Sequence, residues 1–408
     1  MKINNVIARE LLDSRGNPAL EVDVILENGV VGRSMVPSGA SVGNKEALEL
    51  RDKDQSRFFG KGLLKAVDNV NTIIKKNIIG MDVSNQKAID ALLLRLDGTK
   101  NKSNLGANAI LGVSMSCFKA NCTSKKVPLY QAFGNKIKMP LPLINIINGG
   151  KHAFNKLDFQ EFMIVPKAKT FHKIMEMAIT IFYNLKQILE ANNLSTGVGD
   201  EGGFAPNLKN NIDAIKLIIM AINKSGYKPG EDVFLALDMA ADSFYKDGKY
   251  YLENKVLTTD ELISYYKTLI DNYPIISIED PLYEDDTLGY QKLTKLLGQK
   301  IQIVGDDLFV TNKDYLASGI KNHIANAILI KLNQIGTVSE AIETIELAKK
   351  YNYATIISHR SGEVEDSIIA DLAVGLNIGQ IKCGSVCRGE RIMKYNQLLR
   401  IEDYILNK

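Results

Sequence analysis

Val233-Phe234-Leu235-Ala236-Leu237-Asp238, Ile275-Ile276-Ser277-Ile278-Glu279, Ile301-Gln302-Ile303-Val304-Gly305-Asp306 and Ala327-Ile328-Leu329-Ile330-Lys331 share one pattern, a short apolar run closed by a charged side chain. Ala354 to Ile357 and Ile378 to Ile381 repeat it, with His359 and Lys382 close behind. Short apolar runs alternating with amphipathic helical segments are the mark of βα units, and strands buried on both faces read as continuous apolar stretches. Two more runs precede them, Leu141 to Ile147 and Phe159 to Pro166. The gap between this pair is too short for a helical crossover and predicts antiparallel neighbours. Helical segments over roughly 170 to 193 and 211 to 224 follow before the regular alternation starts. Eight strands suffice to close a barrel. The expected fold class is therefore α/β, with a C-terminal eight-stranded α/β barrel opening β-β-α-α before regular βα units.

Upstream, Leu20, Val22, Val24 and Leu26 alternate along one face, and Asn28-Gly29 precedes the run from Val30, which predicts a β-hairpin with one face buried. From about 59 to 124 the spacing turns helical, with Asn104 the expected cap of a segment rich in small residues, Leu105 to Ala120. Pro140 and Pro142 sit in the stretch between the two patterns. The expected division is a smaller N-terminal α+β domain over 1–135 and the barrel over 136–408.

Composition narrows the function classes. The 408 residues are 45% hydrophobic and 24% charged, ordinary values for a globular protein long enough for two or three domains. Net charge is +3 and the lysines alternate with acids, without the basic runs a nucleic-acid surface needs, so nucleic acid is not an expected partner. The first residues, Met1-Lys2-Ile3-Asn4-Asn5, lack the apolar core of a secretory signal, and apolar stretches such as Leu217 to Ile222 are too short to span a bilayer. A cytoplasmic protein with no membrane partner is expected. Cys117, Cys122, Cys383 and Cys387 lack the Cys-x-x-Cys spacing of a zinc ribbon and read as reduced thiols.

In a barrel, Asp238, Glu279, Asp306, Lys331, His359 and Lys382 would converge on one mouth, the face where such folds carry their chemistry. One such charge is ordinarily a salt-bridged strand end, but six in register point to a site. Asp238, Glu279 and Asp306 form an all-oxygen donor set suited to Mg²⁺ rather than zinc or iron. Without a cation they would raise one another's pKa. Lys331, in apolar surroundings beside a metal and other cations, is expected to have a lowered pKa suited to taking a proton.

These residues lie in longer strings: Asp13-Ser14-Arg15-Gly16-Asn17-Pro18, Pro37-Ser38-Gly39-Ala40-Ser41, Gln160-Glu161-Phe162-Met163 and Gly199-Asp200-Glu201-Gly202-Gly203. Then come Ser277-Ile278-Glu279-Asp280-Pro281, Gly305-Asp306-Asp307-Leu308 and Lys331-Leu332-Asn333-Gln334-Ile335-Gly336. Ser358-His359-Arg360-Ser361-Gly362-Glu363 and Asn396-Gln397-Leu398-Leu399-Arg400-Ile401 complete the series. Nine strings in order over nearly the whole chain resemble the signature segments of the enolases, in their bacterial-type form.

The resemblance implies the reversible dehydration of 2-phospho-D-glycerate to phosphoenolpyruvate in glycolysis and gluconeogenesis. Carried over by position, it makes Asp238, Glu279 and Asp306 ligands of a first Mg²⁺. Ser41, in a mobile loop, becomes a ligand of a second that arrives with substrate. Lys331 becomes the general base and Glu201 the general acid. His152, Gln160, Glu161, His359, Arg360, Ser361 and Lys382 surround the substrate, with Arg360 on the phosphate. A homodimer or an assembly of dimers is implied, with Arg9 and Glu390 paired across the interface. Such chemistry needs metal because removing a proton alpha to a carboxylate loads a second negative charge on the anion. Glycines beside Glu201 and in the 38–41 segment suit close approach and a closing lid. The chain departs from the family pattern at Val42, at Phe154 and over Cys383 to Cys387, all in loops. Two other readings are a catalytically weak relative with a binding role and a related Mg²⁺ barrel enzyme acting on another carboxylate. Arg360 and Ser361 favour a phosphorylated substrate over the latter.

Overall fold

The structure, a computed structural model, describes residues 1–39, 43, 45–134 and 137–407. Ser41, Val42 and the expected junction at 135/136 lie outside the described residues. The N-terminal part is built on β1 (Ile3–Leu12), β2 (Pro18–Leu26) and β3 (Val31–Val36), an antiparallel sheet in that order. Asn28-Gly29 turns the β2–β3 hairpin, with Gly29 at φ 81° where a side chain would be strained. The leading strand β1 was not foreseen, because a register shift between Ile3 and Asn5 breaks the alternation that would announce it.

Leu20, Val22, Val24 and Leu26 are buried as the alternation predicts, but the opposite face of β2 is not wet. Glu21 and Asp23 are also buried, covered by Arg9 and Arg33. The helix Ala107–Ser124 lies across the sheet and is buried nearly all round. Ile110, Val113 and Cys117 join the N-terminal core, while Leu111, Met115 and Phe118 join the barrel's. One helix thus serves two cores, which is why it is rich in small and apolar residues. Its expected cap is corrected: Gly106, not Asn104, holds the N-cap position, and Asn104 instead donates to the Asp97 carbonyl at 2.8 Å. Asp97 gathers the Asn104 and Leu105 amides, so the loop closes on that carboxylate before the helix begins.

The barrel strands are β4 (Leu141–Asn148), β5 (Glu161–Pro166) and β6 (Val233–Asp238), with five more after a small antiparallel sheet of β7 (Tyr245–Lys246), β8 (Lys249–Leu252) and β9 (Lys255–Leu257). The five are β10 (Ile275–Glu279), β11 (Gln302–Gly305), β12 (Ala327–Ile330), β13 (Ala354–Ser358) and β14 (Gln380–Lys382). They close in the order β10-β11-β12-β13-β14-β4-β5-β6. Helices Phe171–Ala191 and Asn211–Lys224 separate β5 from β6, giving the β-β-α-α opening. The strand β5 runs antiparallel to both neighbours, so its first residue, Glu161, lies opposite Asn148 and Asp238. The mouth is thereby formed by seven C-terminal strand ends and one N-terminal end. Leu143, Met163, Val165, Ala236, Val304, Ala327, Leu329 and Ile356 fill the interior, so the barrel is a packed core and chemistry is confined to its rim. All four cysteines are free thiols, and no helix among the described residues is long and apolar enough to cross a membrane.

Candidate active site

Strand register brings the expected residues together. Asp238 ends β6 and Glu279 ends β10, paired side by side, and Asp306 and Lys331 are the first residues past β11 and β12. His359, Arg360 and Ser361 follow β13, Lys382 ends β14, and Gln160 and Glu161 stand at the start of the reversed strand β5. Glu201 and His152 come from loops. The Glu201 loop folds back so that Phe204 bridges Ile147, and a Cβ at Gly199 or Gly203 would meet the His152 carbonyl at 2.6 Å or the Asn148 side chain at 2.9 Å. The glycines around Glu201 are required for that close approach. Every one of these side chains except Lys331 is buried, and Lys331 is mostly so. Ser41 lies outside the described residues.

Two ammonium groups hold the carboxylates. Lys382 Nζ lies 3.1 Å from Asp238, 3.0 Å from Glu279 and 3.0 Å from Glu161. Lys331 is ion-paired with Asp306, whose other oxygen accepts from Gln334 Nε2 at 2.8 Å. Burial works to lower both ammonium groups, but Asp238, Glu161 and Glu279 hold Lys382 well above its ordinary value, and Asp306 holds Lys331 above its own. In the metal-free chain Asp306 outweighs burial and the neighbouring Arg360 and Lys382, whereas the expected lowering belongs to the metal-bound site.

Glu201 sits between two imidazoles. Its carboxylate lies 3.6 Å from His152 Nδ1 and 3.4 Å from His359 Nε2, and accepts from Asn145 Nδ2 at 3.1 Å. Burial drives both histidines toward neutrality, His359 down to about 3. Burial also works to raise Glu201, but His152, His359 and Arg391 outweigh it and hold the group well below the usual carboxylate range.

The rim fits a hard divalent cation. Glu279 is pushed up to about 8 by burial and the neighbouring Asp238, and Glu161 is raised well above its ordinary value by burial and Glu201. Carboxylates driven upward in this way lack positive charge. Among the described residues, Glu161 Oε2 and Gln160 Oε1 are also buried without a hydrogen-bond partner. Among the described residues, the tightest ligand groupings are His152, Glu161 and Glu201, and Asp280, Asp306 and Asp307. Asp238 and Glu279 are in neither grouping, and both are ion-paired to Lys382.

The N-terminal part closes over the mouth. Ser38 forms an antiparallel bridge to Gly362, and a Cβ at Gly362 would meet the Ser38 carbonyl at 2.8 Å. Arg360 Nη1 is 3.0 Å from Glu46, which the sequence reading did not single out. With ammonium and guanidinium heads filling the rim, the remaining cleft is only about 20 Å³. Asn145, Gln334 and Arg391 were also missed. They are polar residues in apolar or ordinary surroundings whose sequence carries no signal of what they will face. Of the departures, Phe154 is fully exposed beside His152, Cys387 Sγ approaches the Gly202 carbonyl at 3.0 Å, and Cys383 is buried. The segment after Lys382 therefore packs against the Glu201 loop. Compared with known families, residues 136–408 match the model described as "Enolase, C-terminal TIM barrel domain", and residues 3–133 match "Enolase, N-terminal domain".

Proposed function

The chain belongs to the enolase family, and on that premise we propose how the side chains of its barrel mouth carry out the reaction. Membership implies a lyase that dehydrates 2-phosphoglycerate to phosphoenolpyruvate. In our reading Lys331 takes the proton alpha to the substrate carboxylate, and Glu201 protonates the departing hydroxyl. Arg360 grips the phosphate, exchanging Glu46 for it. His152, Gln160, Glu161, His359, Ser361 and Lys382 line the substrate. Asp238, Glu279, Asp306 and Ser41 would hold two Mg²⁺, which would supply positive charge where the reaction gathers negative charge.

The observation that carries this reading is that Lys331 and Glu201 line one cleft, Lys331 held by Asp306 and Glu201 lying between His152 and His359. In the hydration direction Glu201 takes a proton from water and Lys331 delivers one to carbon. The dehydration direction needs Lys331 unprotonated and Glu201 protonated, and each ends it in the state that the hydration direction starts from, so the same two groups serve a reversible reaction. We assign the protein to glycolysis and gluconeogenesis in the cytoplasm, as a homodimer, with its domains divided at 135/136. In the single chain Arg9 is ion-paired to Glu21 and Asp23, and Glu390 lies near Arg391 and lines a groove with Leu12, Glu21 and Met35, so the dimer rests on family membership.

The test is the absorbance of phosphoenolpyruvate formed from 2-phosphoglycerate, with and without Mg²⁺. Magnesium-dependent formation is expected. No product under either condition overturns the reading in favour of a non-catalytic relative or an enzyme for another carboxylate.

A further inference from the structure

Arg391 is fully buried, and its hydrogen bonds all go to the segments that carry the acid–base pair's neighbours. One guanidinium nitrogen, Nη1, lies 2.6 Å from His359 Nδ1 and 2.5 Å from the Arg360 carbonyl. The other, Nη2, donates to the Ser361 carbonyl at 2.6 Å and the Asp200 carbonyl at 3.2 Å. It therefore joins the turn after β13, which carries His359, to the loop that carries Glu201.

An imidazole can present either nitrogen as donor, but a guanidinium has no acceptor and does not lose its proton in proteins. The contact at Nδ1 has one chemically consistent form: Arg391 donates and Nδ1 accepts. We infer that Arg391 is a positioning residue that fixes His359 in the Nε2–H tautomer, so that its ring proton faces Glu201. The residue at 391 would then set which hydrogen-bonding partner the carboxylate meets.

Two further observations agree. His359 Nε2 is buried with no other hydrogen-bond partner among the described residues and lies 3.4 Å from Glu201 Oε2, a long contact of the kind that tightens when substrate arrives. Gly384 stands where the three groups meet: a Cβ there would lie 2.8 Å from the Glu201 carbonyl, 3.0 Å from His359 Cε1 and 3.1 Å from Arg391 Cδ. Arg391 Cδ and the imidazole can pack together only across a residue without a side chain. The Ser385 amide donates to the Glu201 carbonyl at 2.9 Å, so the backbone of this strap also fixes the acid's position. An Nε2–H donor stabilises the carboxylate form of Glu201 more than the protonated form, whose oxygens are weaker acceptors. The opposite tautomer would set a lone pair against the carboxylate and repel it.

The inference deepens the proposed reaction and rests on it only for its kinetic consequence. The chain has four histidines, so long-range ¹H–¹⁵N correlation of the imidazole rings in the ¹⁵N-labelled protein is tractable, with His359→Gln assigning the resonance. The expected result is an Nε2–H pattern for His359 that does not change between pH 6 and 8. An Nδ1–H pattern, or an imidazolium titrating in that range, overturns the inference. This reading needs no turnover, so it stands apart from failure of the enolase assay. In Arg391→Met the two tautomers should mix, with kcat down about tenfold or more and KM changed far less. Arg391→Lys, which keeps a cationic donor with no acceptor, should restore the Nε2–H pattern and part of the rate. A folded Arg391→Met that keeps both the wild-type tautomer and the wild-type kcat overturns the inference, and if that variant does not fold, the spectrum of the parent protein decides.

Discussion

At the residue scale, the two groups assigned to proton transfer are held by different neighbours, and their removal should be felt separately. Lys331→Ala and Glu201→Gln should each lower turnover by at least ~10², as loss of a general base or acid does, with circular dichroism unchanged. Near-parent kcat in either variant would remove its role. Asp238→Asn tests the metal assignment without substrate. Asp238 now shares Lys382 with Glu279, so the variant should lose Mg²⁺ heat in isothermal titration while keeping its fold. Titration like the parent's would put the first ion elsewhere, among His152, Glu161 and Glu201 or Asp280, Asp306 and Asp307. Asp238, Glu279, Asp306, Lys331, His359 and Lys382 were legible because each closes or follows an apolar run, whereas Glu201 and His152, on loops, were reached only through the family resemblance. Arg391 and Glu46 were not, since a buried guanidinium and a loop carboxylate take their meaning from partners 32 and 314 positions away.

At the element scale, the strands announced themselves where their pattern was uninterrupted. The exceptions have local causes: a register shift in β1, and an Asp97-centred turn that displaces the helix start from Asn104 to Gly106. The contact of β3 with the helix Ala107–Ser124 depends on one glycine. A Cβ at Gly32 would meet the Ser116 carbonyl oxygen at 2.1 Å and the Ala120 amide nitrogen at 2.4 Å, and neither backbone atom can yield without moving the helix. Gly32→Ala should therefore cost about 1–3 kcal/mol, seen as a lower denaturation midpoint in urea. Because that helix belongs to both cores, the loss should appear as one cooperative transition. An unchanged midpoint would mean that the sheet stands further from the helix than these distances imply.

For the whole molecule, the rim's charge excess links stability to pH and metal. Glu279 has a folded pKa of about 8 against an ordinary 4.5, so the folded state binds the extra proton between those values. Folded stability must then fall as pH rises through that window, and the loss is largest above 8. His359 acts in the opposite sense: driven down to about 3 by burial, it costs stability only as pH falls below its ordinary 6.5. Between pH 6.5 and 8 the carboxylate dominates. Metal-free protein should therefore melt lower at pH 8 than at pH 6.5, and Mg²⁺ should raise Tm more at pH 8. At about 100 times its dissociation constant the ion should add about 2.7 kcal/mol. A Tm in chelator that rises over this range would contradict the link.

The sequence by itself determined the class of fold and the ring of chemistry. Apolar runs of strand length, each closed by Asp, Glu, Lys or His, specify a barrel and load its rim, because a strand buried on both faces admits polar groups only at its ends. Even the reversed β5 was legible, from a gap too short for a crossover. What only the tertiary structure decided is the state of those groups. Whether Lys331 is raised or lowered depends on Asp306 beside it, and the proton on His359 depends on Arg391. The charge of Glu201 depends on two imidazoles brought from separate loops. Electrostatic coupling at 3 to 4 Å in a buried site depends on distances in space, and chain order does not encode those until the barrel has closed.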